Sequence, residues 1–535
     1  MPFSQIYNPL QSSWLSTLVA FLPVVVLLAC LGLLRMRAHL AALISLVTAA
    51  LVAVVVYTMP LKMACLSILY GAAYGFLPIG WIIINVIFLY NLANQKGLFH
   101  TLQDSLMAIT RDRRLQLLLV AFCFGAFFEG AAGFGTPVAV TSSILIGLGF
   151  SPLSAAGLSL IANTASVPFA GLGTPLVALQ GVTGLDLRAL TTAVAQQLTV
   201  FDLLIPFWIV ITYAGWKAAL EVWPAALIAG STYAVTQYLV ATLHGPWLVN
   251  IVAALVSIGV LVLFLLKWKP RRIWQAPGET NPMGTKRPDH TRGAIFRAWL
   301  PWLILSVVVF VWGLPQVKSW MDQFTMAKLA IPGLDGLVLR MPPVVPAAQP
   351  QSAVFEFNWL SASGTGILVA AVAAGLWMGY SLRGLLDAYL FTWKQTWRSL
   401  ATISTMMAIG FITRYGGMDG TLGLAFAQTG PLYPFFGTLL GWMGVVLTGS
   451  DTSSNVLFGS LQRITAEQLG LNPLTMAAAN SSGGVMGKMI NAQSIVVAST
   501  ATGQYGKEGE ILRYVFFHSL ALAALAGLVV LLFSG

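Results

Sequence analysis

The sequence predicts an all-α polytopic membrane protein with about twelve transmembrane helices, two re-entrant hairpins and two inverted-topology repeats. Three observations lead to this fold class. The 535 residues are 57% hydrophobic and only 8% charged, a balance that is typical of chains solvated by lipid and that soluble domains lack. Apolar windows long enough to cross a bilayer recur along the chain. The second half of the sequence also repeats features of the first half at a nearly constant offset.

About twelve apolar windows predict helices that cross the membrane. They lie at residues 14–34, 40–58, 78–94, 152–180, 189–213, 219–240, 246–266, 295–315, 361–381, 400–414, 473–500 and 512–533. Two further apolar segments, 115–149 and 431–462, are interrupted in the middle, and each arm has only about fifteen residues, which is short for a crossing. We therefore predict a re-entrant hairpin in each segment, surrounded by protein or a water-filled cavity, because non-helical backbone is otherwise not tolerated at membrane depth.

The basic residues predict the orientation in the membrane. Lys and Arg concentrate in the loops 35–37, 111–114, 267–272 and 286–292, which the positive-inside rule places in the cytoplasm. Both termini and the Pro-rich loop 316–358 then lie outside. Because the net charge of +11 is spread over these short loops, we expect no nucleic-acid partner. The three cysteines have neither disulfide nor metal-ligand spacing, and we expect no metal and no cofactor.

A shift of about 322 residues aligns the two halves of the chain. It places "ANTAS" at 162–166 over "ANSSG" at 479–483, and Glu129 over Asp451. The alternative is chance similarity between apolar sequences, which a constant offset does not favour. We predict repeat 1 over residues 1–215, two connecting helices and a cytoplasmic linker over 216–294, and repeat 2 over 295–535. Inverted repeats with paired interrupted helices are typical of secondary transporters, whose binding site lies near the bilayer midplane.

Four polar segments suggest where this site lies. They are the Gly-rich stretch after Glu129, "TGSDTSSN" at 448–455, and the stretches 162–175 and 479–494. Broken helices present free N–H groups and positive dipole ends, and Ser, Thr and Asn can bond a carboxylate and an adjacent hydroxyl, so a small organic anion is the expected ligand. The candidate binding residues are Lys488, Asn163, Thr164, Ser166, Ser450, Thr452, Ser453, Asn480, Ser481 and Asn491.

Three charged residues within these segments have alternative interpretations. Glu129 and Asp451 are candidate proton carriers, because a carboxyl group in a low-dielectric site can take up and release a proton near neutral pH. Glu129 could instead hold a structural position, and Asp451 could be a helix cap. Lys488 either pairs with the substrate carboxylate or binds Asp451 or a backbone carbonyl.

Three further residues are secondary candidates. Asp202 is an acid inside an apolar helix, where a structural hydrogen bond is the alternative role. Arg414 either extends to the outer interface or guides anions inward. His244 lies in a predicted outer loop and could relay protons.

Three stretches resemble signature sequences of the bacterial L-lactate permease family, which includes glycolate permeases. They are "FFEGAAGFGTPVAV" at 127–140, "GSDTSSNVLFGSLQ" at 449–462 and "NSSGGVMGKMINAQSIVVA" at 480–498, and the resemblance extends over nearly the whole chain. It implies import of L-lactate, and also of D-lactate and glycolate, in symport with protons across the bacterial inner membrane. The wider superfamily implies inverted repeats, re-entrant hairpins, elevator-like movement and a homodimer.

Other functions remain open at this stage. Sodium-coupled relatives use Asn-Thr patterns at such helix breaks, and "ANTAS" keeps part of that pattern, so a sodium-coupled carboxylate transporter is one alternative. An anion channel is a second. An intramembrane enzyme is disfavoured because the serines have no distinct base beside them. The expected partners are the monocarboxylate, protons and membrane lipid.

Overall fold

The structure is a computed structural model that describes residues 2–34, 36–107, 109–131, 133, 136–274, 276, 291–504 and 507–534. It confirms the all-α polytopic fold class: eleven helices within these ranges are long and apolar enough to cross a membrane. Most of the predicted cytoplasmic linker and of the basic loop 286–292 lies outside the described residues.

The helices and strands have the following bounds. Before the connecting helices come α1 Ser13–Leu28, α2 Ala38–Leu51, α3 Leu61–Tyr74, α4 Trp81–Gln95, α5 Leu98–Met107, α6 Arg113–Leu117, α7 Gly125–Ala131, α8 Thr136–Gly147, α9 Pro152–Ala162, α10 Ala170–Thr183 and α11 Leu187–Ala214. The connecting helices are α12 Trp216–Leu220, α13 Trp223–Leu243 and α14 Val249–Lys267. They are followed by α15 Arg292–Gly313, α16 Pro315–Thr325, α17 Ser363–Trp377, α18 Leu382–Gly416, α19 Met418–Phe426, α20 Tyr433–Thr448, α21 Asp451–Leu469, α22 Pro473–Gly487, α23 Ala492–Ala501 and α24 Glu508–Ser534. The strands are β1 Phe3–Ser4, β2 Met326–Ala330, β3 Val338–Arg340, β4 Gln349–Pro350 and β5 Val354–Asn358.

Two predicted spans are parts of much longer helices. The windows 78–94 and 400–414 lie within Leu61–Gln95 and Leu382–Gly416, each of 35 residues. In the first helix a π-helical run, Gly75–Gly80, keeps α3 and α4 continuous. In the second helix Lys394 and Arg398 lie just before the apolar window and prevent it from starting earlier, although the helix includes both residues. At about 1.5 Å per residue each helix is about 52 Å long, which exceeds the thickness of a bilayer with its headgroups.

The predicted outer loop 316–358 contains regular structure that an apolar window cannot detect. It holds α16 and four short strands. Strand β2 pairs antiparallel with β5, and β3 lies between β1 and β4. The N-terminal segment is tied to this region, since the backbone N–H groups of Phe3 and Gln5 donate to the carbonyl oxygens of Leu337 and Leu339 at 2.8 and 2.9 Å. The side of the molecule that carries these strands is named the strand-bearing face below.

The windows 152–180 and 473–500 were predicted as spans with unwound middle parts, and the structure breaks both. Between α9 and α10 the chain forms a 3₁₀ run, Thr164–Phe169. Three residues inside α10 then have left-handed φ values of 48°, 56° and 79°, at Gly171, Leu172 and Gly173. In the second window the break is shorter, because α22 is helical to Gly487 and the 3₁₀ run Lys488–Ile490 precedes α23.

The two predicted hairpins are pairs of packed helices. A π-helical run, Leu118–Phe124, joins α6 to α7, and α7 packs against α8. Helix α20 packs against α21, and Gly449 (φ 78°) makes the turn between them. That both pairs enter and leave the membrane on one side stays a prediction.

Helices recur along the chain at one spacing. Helices α18, α22 and α24 each begin 321 residues after α3, α9 and α11, respectively. Packing partners are exchanged between the halves: α11 contacts α22 while α24 contacts α9, and α10 contacts α21 while α23 contacts α8. An inverted repeat would produce this exchange, and the repeat itself stays a prediction.

Candidate substrate site at the helix breaks

A cavity of about 70 Å³ lies where four broken helices meet. This volume is several times the roughly 10–15 Å³ that one water molecule needs. The walls come from the end of α7, the start of α10, the start of α21 and the chain around the start of α23. The lining residues used below are Glu129, Gly133, Thr174, Ser450, Asp451, Thr452, Lys488, Gln493 and Ser494.

Glu129 is fully buried in the last turn of α7. Its Oε2 accepts a hydrogen bond from Asn163 Nδ2 at 2.8 Å, across the break between α9 and α10. Glu129 Oε1 and Asn163 Oδ1 have no hydrogen-bond partner among the described residues. An unsatisfied buried acceptor costs about 1–3 kcal/mol. A ligand or proton at this carboxyl group would therefore be stabilised.

Asp451 is the corresponding acid of the second half and begins α21. Its Oδ2 accepts from Ser481 Oγ at 2.5 Å and from Asn455 Nδ2 at 3.3 Å. Its Oδ1 is buried with no partner in the described part of the chain. The carboxylate also fills the space beside Gly484, where a Cβ atom would lie 2.7 Å from Oδ1. Asp451 is therefore held firmly on one side and presents one oxygen without a partner.

Lys488 is 8% exposed and lines the same cavity as the two acids. Its Nζ donates to the carbonyl oxygen of Gly449 at 3.4 Å, which is one of the two structural partners considered from the sequence. No carboxylate of the described residues lies within 4.0 Å of this ammonium group. Its charge nevertheless acts on both Glu129 and Asp451. The ammonium group can thus bind an anion in the cavity without first leaving an ion pair.

Two helix N-termini add positive potential to the same wall. Ser450 caps α21, since its Oγ accepts from the backbone N–H of Ser453 at 3.3 Å. Asn491 caps α23 through its Oδ1, which accepts from the backbone N–H of Ser494 at 3.1 Å. The positive ends of these helix dipoles favour negative charge nearby. Together with Lys488 they make the cavity suitable for a carboxylate.

The other predicted binding residues shape the breaks without lining the cavity. Thr164 and Ser166 donate to the carbonyl oxygens of Ile161 and Asn163, at 2.7 and 3.1 Å. Asn480 Nδ2 donates to Asn455 Oδ1 at 2.9 Å, and Asn491 Nδ2 donates to the carbonyl oxygen of Val446 at 3.0 Å. Ser453 contributes its backbone N–H to the cap of α21.

The three secondary candidates lie elsewhere. Asp202 of α11 accepts a hydrogen bond from Gln237 of α13 in the protein interior. Arg414 Nη1 donates to the carbonyl oxygens of Gly181 and Val182, both at 3.1 Å, at the C-terminal end of α10. His244 Nε2 lies 3.0 Å from the carbonyl oxygen of Phe310, and burial lowers the pKa of this imidazole. None of the three lines the cavity.

Several residues that support the site were not among the candidates. Asn455 lies one helical turn after Asp451, so the i, i+4 spacing could have indicated it. Asn250, in the connecting helix α14, donates from Nδ2 to the carbonyl oxygen of Ser166 at 2.7 Å. Ser482 Oγ donates to Gln197 Oε1 at 2.5 Å, between the two halves. For Asn250 and Gln197 the only signal in the sequence is an amide inside an apolar helix.

Comparison with known proteins gives a consistent result over the whole chain. The family model described as L-lactate permease matches residues 16–534. An L-lactate permease of Salmonella typhimurium is 42% identical, over 98% of this chain and 97% of that protein. Glycolate permease GlcA of Escherichia coli is also 42% identical, over 99% and 98%. The solved structure of Neisseria gonorrhoeae MtrF, at 15% identity and a TM-score of 0.50, covers 94% of this chain and 96% of its own, and shares the fold alone.

Proposed function

The chain belongs to the L-lactate permease family, and from this premise we propose that it is a secondary active transporter for L-lactate, D-lactate and glycolate. In this proposal it imports these monocarboxylates in symport with protons across the bacterial inner membrane. The observation that carries the proposal is the cavity in which Glu129, Asp451, Lys488 and two helix N-termini meet. Two relatives named as L-lactate and glycolate permeases support the choice of substrates.

The cavity offers complementary groups to both ends of a 2-hydroxymonocarboxylate. The carboxylate binds the Lys488 ammonium and the N–H groups at the starts of α21 and α23. The hydroxyl group binds among the polar side chains of Thr174, Thr452 and Gln493, which line the same space. Lactate and glycolate differ by one methyl group, which is worth only about 1–3 kcal/mol in an apolar contact. The same site therefore accepts both anions.

Charge balance supports proton coupling. Two carboxylates and one lysine face the cavity, and a bound monocarboxylate adds a further negative charge in a water-poor environment. One proton taken up at Glu129 offsets that charge, so proton and lactate binding reinforce each other. The proton and monocarboxylate cross together as a neutral pair, and the membrane potential then contributes little to accumulation.

We propose an orientation with both termini and the strand-bearing face outside. The basic loops support it, because they fall on the opposite side in the predicted topology. We also propose that residues 1–215 and 295–535 are inverted repeats, which the exchange of packing partners between the halves supports.

The test is lactate transport by the purified protein in proteoliposomes, in buffers without sodium. An inward pH gradient of one unit should accumulate L-lactate up to about tenfold, since one proton per lactate supplies about 1.36 kcal/mol per pH unit. Glu129→Gln keeps an acceptor for Asn163 but has no group that takes up or releases a proton near neutral pH. It should abolish accumulation and retain exchange of labelled against unlabelled lactate.

Glu356→Gln is the matched control, because Glu356 is an exposed acid on β5 with a 55% exposed side chain. It should accumulate lactate like the parent protein. Normal accumulation in Glu129→Gln would remove Glu129 from the coupling role. Accumulation that follows a sodium gradient and ignores the pH gradient would replace proton symport with sodium symport. If the parent protein transports lactate but an unlabelled lactate gradient drives no counterflow of labelled lactate, the protein is a channel.

A further inference from the structure

A second cavity, of about 180 Å³, lies at the strand-bearing face. Three arginines from separate parts of the fold line it: Arg340 from β3, Arg414 from the end of α18 and Arg463 from α21. This cavity is named the arginine chamber below. It is distinct from the substrate cavity, since the two share no lining residue.

Two of the guanidinium groups lie close together. A Cβ atom at Gly184 would be 3.5 Å from Arg414 Nη2 and 3.6 Å from Arg463 Nη1. These two distances together limit the separation of the nitrogens to about 7 Å. Like charges at this separation repel each other. An anion bound between them would relieve that repulsion.

The carboxylates that interact with these arginines lie outside the lining of the chamber. Glu467 lies 2.7 Å from Arg463 and 3.6 Å from Arg340. Asp419, the second acid, acts on Arg414 and Arg340. The charged side chains of the lining are thus all positive, which favours a ligand that carries negative charge.

Donor groups are also available in the chamber. Arg414 uses Nη1 for the carbonyl oxygens of Gly181 and Val182, and Arg463 uses Nε for Glu467 and Nη1 for the carbonyl oxygen of Thr183. The Nη2 groups of Arg414 and Arg463 make no hydrogen bond to the described residues. Guanidinium groups with free N–H donors are well suited to a carboxylate.

Gln351 is an independent indication of a ligand. Its side chain lines the chamber and is only 8% exposed, and Oε1 is buried with no hydrogen-bond partner among the described residues. A buried amide oxygen of this kind is satisfied by a hydroxyl donor. The chamber therefore offers N–H donors to a carboxylate and an acceptor to a hydroxyl group.

We propose that the arginine chamber binds a small 2-hydroxymonocarboxylate, with its carboxylate on the arginines and its hydroxyl group on Gln351. The identification of this ligand with the transported anion rests on the proposed function, whereas the binding groups do not. Helix α10 connects the two sites, because Thr174 lines the substrate cavity and Thr183 lines the chamber. At about 1.5 Å per residue they are about 13 Å apart along the helix. The chamber is a first binding site for substrate that arrives at the strand-bearing face.

The test compares Arg340→Gln with a control that removes the same charge from the same face. Arg340 contacts Glu467 at 3.6 Å, and Lys328 on β2 contacts Glu356 at a similar 3.5 Å. The KM for L-lactate is measured for uptake into intact cells and into inverted membrane vesicles. Arg340→Gln should raise KM about threefold to tenfold on one side of the membrane only, with kcat unchanged. Lys328→Gln should change neither KM nor kcat on either side of the membrane. Arg340→Lys should have a KM close to that of the parent protein.

Gln351→Leu tests the hydroxyl contact. It should raise the KM for L-lactate more than it raises the inhibition constant for propionate. Propionate has the carboxylate but lacks the hydroxyl group. An equal effect on both anions would overturn the assignment of Gln351. Unchanged KM values in Arg340→Gln, or values raised equally on both sides of the membrane, would overturn the proposal that the arginine chamber binds substrate.

Binding to the purified protein separates this inference from the proposed function. In Lys488→Ala, where the substrate cavity is weakened, titration calorimetry with L-lactate should still detect binding. Adding Arg340→Gln should weaken that binding about threefold to tenfold, even if the protein fails to accumulate lactate. Binding that persists unchanged in the double variant would contradict the chamber, whereas loss of proton-driven accumulation alone would contradict only the proposed function.

Discussion

Gly484→Ala tests whether Asp451 must occupy its observed position. The new Cβ atom would lie 2.7 Å from Asp451 Oδ1 and 2.8 Å from a methyl group of Val445. Since ordinary contacts to a Cβ begin near 3.4 Å, the carboxylate must retreat by about 0.7 Å. It cannot do so freely, because Ser481 holds its other oxygen at 2.5 Å. Overpacking of this kind costs about 1–3 kcal/mol, which corresponds to a factor of about five to 150.

We expect this cost to fall on the substrate site. The assay is exchange of labelled against unlabelled L-lactate in proteoliposomes, and its rate at low lactate should fall by about fivefold to 150-fold. Gly509→Ala is the control, because no atom lies within 4 Å of the position its Cβ would take. The thermal unfolding temperature in detergent shows whether each variant is folded. A folded Gly484→Ala protein with normal exchange and normal pH dependence would refute the role assigned to the Asp451 position.

Three further predictions concern single residues. Lys488→Ala should raise the KM for L-lactate at least about tenfold, because it removes a charge-assisted bond to the carboxylate; an unchanged KM would make Lys488 structural. Ser481→Ala should slow lactate exchange by about tenfold to 150-fold through loss of a bond to a carboxylate worth about 1.5–3 kcal/mol, whereas Ser143→Ala, on an exposed side chain, should not. Burial lowers the pKa of His244, so this residue makes the folded protein lose stability as pH falls below about 6.5, the pKa of an unfolded histidine. Between about pH 7.5 and pH 5.5 the unfolding temperature of His244→Gln should therefore fall less than that of the parent protein. An equal fall in both proteins would contradict this prediction.

Much of the fold could be predicted because membrane helices and their breaks are encoded locally. The Gly- and Pro-rich stretch 162–175 predicted an unwound segment, and the structure has left-handed backbone at Gly171 and Gly173 there. The long helix Leu382–Gly416 was missed because its charged turns lie beyond the apolar window. Local hydrophobicity reports which part of a helix suits lipid, and it does not report where the helix ends.

The site was only partly predictable for a different reason. Glu129, Asp451 and Lys488 were identifiable because charges are rare in such a sequence. The supporting residues were harder to find: Asn250 bonds the 3₁₀ break at Ser166 and Gln197 bonds Ser482 of α22, in both cases through packing between helices that are distant in the sequence. The same holds for the arginine chamber, whose members come from a strand and two helices. Residue pairs of this kind depend on tertiary packing, which no periodicity in a single sequence records.

The contacts between the halves have a consequence for biosynthesis. The carbonyl oxygen of Pro175 accepts from Asn455 at 3.2 Å, and Gln197 accepts from Ser482. Both acceptors lie in the first half of the chain and both donors in the second half, so the acceptors are synthesised before their donors exist. In lipid each unsatisfied backbone or amide group costs several kcal/mol. The newly made first half therefore keeps its broken helix in contact with water or the insertion machinery until α21 and α22 are synthesised. Two separately translated halves, divided between α14 and α15, should accordingly assemble by completing each other's hydrogen bonds.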